Sequence, residues 1–151
     1  MNNNIKVLNN EYLTRGGFVV ASIQSISVIE KSAISYFRLW YSGPVLRKEI
    51  ERNLTISLGY LKGYKSSKII YDFFLVFCER TDPFSIQPIN SEFISADENC
   101  LSKLILYTSL GNEKEVIHTA NMICSKPLSS NLILLAKDVS SVLMGLRLDI
   151  S

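Results

Sequence analysis

At 151 residues, with 47% apolar and 20% charged side chains, the chain is long enough for one domain with a sizeable core and too apolar to stay disordered. Its net charge of +2 excludes a polycation or polyanion as a whole. The sign is unevenly spread: residues 1–80 carry 11 Lys or Arg against 6 acids and residues 81–151 carry 5 against 8, which either steers an acidic partner to the first half or joins the two halves together.

In chain order, MNNNIKVLNN is polar, and Gly16-Gly17 weakens any helix through it. Residues 1–17 therefore read as a flexible arm, and 18–151 as a single domain. FVVASIQSISVI, residues 18–29, is too short and too often interrupted by Gln24 and serines to span a membrane. Its β-branched content leaves helix and strand both open. From Val28 to Tyr41, Ala33, Phe37 and Trp40 recur at helical spacing and point Trp40 inward. Ser42-Gly43 ends that helix, and Pro44 suits the first turn of the next, over 45–58, whose inner face is Ile50, Leu54 and Leu58. A third helix is expected from a cap at Ser66 or Ser67 to Arg80; its stripe of Ile70, Phe73, Phe74 and Phe77 makes it the most central.

Pro83 and Pro88 mark residues 81–95 as a connection. Its large apolar residues, Phe84, Ile86, Ile89 and Phe93, either fold over the bundle or are offered to a partner. Ser95 with Glu98 has the spacing of a capping box and opens a helix to about Ser109. Asn112 caps the next, which Lys126-Pro127 stops; Ser129 or Ser130 opens the last, to about 146. The expected fold is all-α: one irregular bundle of five or six helices.

No catalytic, cofactor or metal site is read from the residue patterns. His118 is the only histidine and reads as structural. Asp97 and Glu98 are neighbours, so on a helix they point about 100° apart, and acids in a first turn favour the helix dipole. Cys78, Cys100 and Cys124 lie 22 and 24 residues apart, unlike zinc spacings, and beside apolar neighbours they read as reduced, buried thiols in a cytoplasmic protein. No phosphate-cradling glycine motif is present.

The strongest positive feature is the basic stretch 45–68, where Arg47, Lys48, Arg52, Lys62, Lys65 and Lys68 are interleaved with Tyr60 and Tyr64. Cations neutralise phosphates and aromatic rings stack on bases, which suits nucleic acid. Glu49 and Glu51 would meet those phosphates unfavourably. The leading expectation is a non-enzymatic cytoplasmic binding or adaptor protein whose partner is another protein, with a nucleic-acid-binding regulator using 45–68 as the alternative.

At RLWYSGP, ISADENCLSKLI and the run from Leu110 to Leu146, the chain resembles a family of small bacterial all-helical proteins without an assigned activity. The resemblance implies an all-helical fold with a basic region after the Gly-Pro and two C-terminal helices. Members of that family carry His and Cys before the Ala-Asp-Glu segment, where this chain has QPINSEFIS.

Overall fold

The computed structural model describes residues 19–79 and 85–150. The arm expected over 1–17 and the candidate contact residue Phe84 lie outside the described residues. Six α-helices dominate: α1 (Val28–Tyr41), α2 (Pro44–Leu58), α3 (Tyr60–Cys78), α4 (Ala96–Ser109), α5 (Glu113–Ile123) and α6 (Leu128–Ile150). The all-α bundle expected from the periodicities is thus the observed fold.

Between residues 19 and 29 the chain is strand first and helix second. Val19–Ser22 forms β1, a single 3-10 turn follows at Ile23–Ser25, and β1 pairs antiparallel with β2 (Phe93–Ser95). The register places Val19 opposite Ser95 and Ser22 opposite Phe93, with an irregularity between Val19 and Ala21. This two-stranded ribbon is the one sheet among the described residues. It fastens the end of the 81–95 connection to the start of the bundle.

The helix boundaries follow from local chemistry. Ser27 and Glu30 form a capping box at α1, Ser95 and Glu98 another at α4, and the Asn112 side chain accepts from Glu115 N at α5. Gly43 at φ 116° and Gly59 at φ 89° sit where only glycine turns freely, so α1, α2 and α3 are separated by the shortest of links. Two boundaries correct the sequence reading: α6 opens at Leu128, ahead of Ser129 and Ser130, and runs to Ile150 rather than to about 146, and α3 opens at Tyr60, not at Ser66 or Ser67. Those serines are buried mid-helix, and Ser67 Oγ donates to Tyr64 O at 2.8 Å. Gly59 serves as both the end of α2 and the start of α3. No side-chain cap announces the turn.

Packing makes α2 and α3 a helical hairpin, with α3 also against α6, and α4 against α1, α5 and α6. The core is built on Phe37, Phe73, Phe74 and Phe77, all buried. Phe37 meets Phe74 at 4.9 Å between ring centroids and Phe77 edge-on at 5.3 Å, arrangements that suit the ring quadrupole. Trp40 lies 5.6 Å from Phe74 and is buried, as its stripe predicts. Ile50 and Leu54 from α2 reach the same core.

Candidate interaction surface

The basic stretch 45–68 folds into the whole of α2 and the first half of α3, and the structure divides its candidate residues into two sets. Arg47 is turned inward. Its guanidinium stacks 4.4 Å over the Trp40 ring, and Nε donates to Trp40 O at 2.7 Å, a cation–π contact that fixes the α1–α2 corner. Tyr71 donates its hydroxyl to Arg47 O at 2.7 Å, clamping α3 onto the same point. Burial, reinforced by the Glu51 charge and only partly offset by Arg47, pushes the Tyr71 phenol up to about 12. Arg47 is thus a structural residue of this corner, half-buried between α1 and α2.

The other set faces outward. Lys48, Arg52, Lys62, Lys65 and Lys68 are exposed, and so are Tyr60 and Tyr64. Tyr60 is 81% exposed and Ile56, in the last turn of α2, is 76% exposed. Because Gly59 alone separates the two helices, Ile56, Tyr60, Leu61 and Tyr64 gather at the tip of the hairpin with the three lysines of α3 beside them. The tip is narrow because α3 crosses α2 at Gly63. A Cβ there would stand 2.6 Å from Thr55 Cα and 2.7 Å from the Leu54 carbonyl carbon, so only glycine lets the backbones meet. Glu49 forms a loose, exposed ion pair with Arg52 at 3.9 Å. Such a surface pair contributes little to stability.

The second expected contact region divides as well. Ile86 packs half-buried against the core, whereas Ile89 and Phe93 are exposed. A polar network holds this segment in place. Arg38, 2% exposed, forms a two-pronged ion pair with Glu98, Nε to Oε2 at 2.6 Å and Nη2 to Oε1 at 3.0 Å. Its remaining donors reach Ser91 O at 2.9 Å and Phe93 O at 2.7 Å. Asp97 accepts from Ser85 N at 2.6 Å, and Ser95 Oγ donates to Ser85 O at 2.8 Å. Asp97 and Glu98 are therefore first-turn acids, as expected, and anchors for the connection in front of their helix. Sequence reasoning missed Arg38, whose position between Phe37 and Leu39 carries no local sign of a partner 60 residues away.

A second buried acid, Glu30, pairs with Lys103 at 2.8 Å and accepts from Ser102 Oγ at 3.4 Å. Burial alone would raise its carboxyl, but hydrogen bonds from Lys103 and Ser27 and the Lys103 charge outweigh that and hold it below the ordinary carboxylate range. His118 is exposed on α5. Of the three cysteines expected to be buried, only Cys124 is, its thiol pushed up by burial, whereas Cys78 and Cys100 are half-buried. Among the described residues no three His, Cys, Asp or Glu side chains converge as metal ligands, and no helix is long and apolar enough to cross a membrane.

Compared with models of protein families, with curated proteins and with solved structures, the chain gives no match.

Proposed function

We propose that this chain acts by binding, as an adaptor that docks the tip of its α2–α3 hairpin onto an acidic protein surface. One observation carries the reading: Ile56, Tyr60, Leu61 and Tyr64 stand exposed at the hairpin tip among the cations Lys62, Lys65 and Lys68. An apolar and aromatic centre with charged surroundings is the composition of a protein-recognition patch, where Tyr supplies contact area at small entropic cost. The fold's buried acids support the same view. Glu30 and Glu98 each combine a helix cap with an ion pair, so neither stands free for proton transfer.

The test uses two variants of the full chain, Tyr60→Ser with Tyr64→Ser, and Lys62→Glu with Lys65→Glu. Both should lose a partner that the wild-type protein captures from its source cell, with thermal midpoints unchanged, because exposed substitutions shift stability by only about 0.5 kcal/mol. Equal capture by all three proteins would remove the hairpin tip from consideration. The alternation of Tyr60 and Tyr64 with lysines favours nucleic acid as the second reading. In that case a single-stranded oligonucleotide binds the wild type with an affinity that falls steeply with salt.

A further inference from the structure

On the opposite side of the sequence, α5 and α6 enclose a groove of about 760 Å³ that neither the hairpin tip nor the 85–95 connection reaches. Its size is that of a small-molecule site, and its middle is apolar, with Val116 and Ile117 from α5 facing Ile133 and Leu134 from α6. Two serines distinguish it from a packing defect. Ser129 is 2% exposed and Ser140 is 3% exposed, and neither hydroxyl has a hydrogen-bond partner among the described residues. No side-chain oxygen among those residues is both sealed from solvent and unpartnered. Both hydroxyls must therefore keep an opening, and both serines line the groove. A buried hydroxyl without a protein partner costs free energy unless water or a ligand supplies one.

The charges give the groove a direction. Lys126 immediately precedes α6, and Ser129 and Ser130 lie in its first turn, where the helix dipole is positive. Glu113, at the start of α5, also lines the groove. Along α6 the distance from Ser129 to Ser140 is about 16 Å at the rise of an α-helix. An acid is favoured at the Lys126 end by the ammonium and the helix dipole, and beyond it the lining is mainly apolar, with Glu113 and Lys137 of opposite charge on its rim.

We infer that this groove binds a single-chain anionic amphiphile, with its acidic head at Lys126 and Ser129 and its hydrocarbon chain along Ile133 and Leu134 toward Met144. The Ser129 hydroxyl donates to the head, and the Lys126 ammonium neutralises it. Lys137, on the same rim, covers the chain with its methylene stem. This site is independent of the hairpin tip.

Calorimetric titration of the intact protein tests the assignment with dodecanoate, dodecyl phosphate and the uncharged dodecanol. The two anions should bind with one-to-one stoichiometry and dodecanol at least tenfold more weakly, the tighter anion identifying the head group. Lys126→Glu should weaken anion binding at least tenfold, Ser129→Ala severalfold and Lys137→Glu less than threefold. Thermal midpoints serve as the control for folding, because Lys126 and Lys137 are exposed. Equal affinity for dodecanol, or a loss confined to Lys137→Glu, would overturn the proposed placement. Absence of binding by either anion would overturn the site itself.

Discussion

Arg38 illustrates how much a single side chain can organise. With Glu98 it forms an ion pair from which solvent is excluded, and it satisfies the carbonyls of Ser91 and Phe93 besides. Removing one partner of such a pair strands the other charge, so Arg38→Met should cost about 3–5 kcal/mol in urea denaturation. The 85–95 segment should become protease-sensitive at the same time. A loss below about 1 kcal/mol would show that water reaches Glu98 after all. Trp40→Ala should cost a similar amount, about 3–5 kcal/mol, by emptying a large aromatic site and leaving Arg47 without its ring. Glu30 adds a pH dependence. Its carboxyl is held below the ordinary value of 4.5 in the folded state, so its contribution is complete above that value and is lost as pH falls through the lowered one. Glu30→Gln should flatten this acid limb of stability, measured as the thermal midpoint between neutral pH and about pH 3.

Among the elements, the α2–α3 hairpin depends on its glycines in a way that separates two otherwise similar substitutions. Gly63 and Gly145 are both helical, and alanine is the better helix former by about 1 kcal/mol. At Gly145 nothing lies within 4 Å of an added Cβ, so Gly145→Ala should stabilise the protein by about 0.5–1 kcal/mol. At Gly63 the same methyl meets the α2 backbone, and Gly63→Ala should destabilise by about 1–3 kcal/mol despite its propensity. Thermal melts of the two variants should move in opposite directions. The start of α3 was illegible in the sequence for the same reason. Gly59 and Gly63 lower local helix propensity, and the close crossing that makes them useful is a tertiary fact. Elsewhere the boundaries were legible because a cap is local: Ser95 with Glu98, Asn112 at α5, and Ser42-Gly43-Pro44 between α1 and α2. β2 was hidden inside the connection, since its three residues pair only with a strand more than seventy positions earlier.

For the molecule as a whole, legibility followed sequence distance. The candidate surface at the hairpin tip could be picked from the interleaved Tyr60, Lys62, Tyr64 and Lys65, because consecutive turns of one helix keep them together. The inward turn of Arg47 and the Arg38–Glu98 pair could not, since each depends on which helix arrives opposite. The groove serines were equally hidden: Ser129 or Ser130 reads as an ordinary cap, and the burial of Ser129 in the lining of the groove is a tertiary fact. Shared burial of Phe37, Phe74, Leu104 and Leu132 joins first-half and second-half helices in one core. Unfolding is accordingly expected to be a single cooperative step, with far-ultraviolet circular dichroism and Trp40 fluorescence giving coincident urea transitions.

The long reach of Arg38 also bears on how the chain is made. Its carboxylate partner lies 60 residues downstream, and at a synthesis rate of roughly 5–20 residues per second Glu98 leaves the ribosome about 3–12 s later. Until then a closed core would seal in a guanidinium with no counter-charge, a state that desolvation strongly disfavours. The adjacent α2 and α3 need only a one-residue turn to meet, whereas α1 must wait for α4 and for closure of a long loop. A nascent chain stalled before residue 96 should therefore show a protected α2–α3 hairpin and a protease-labile α1, so that the second half of the protein acts as the clasp for the first.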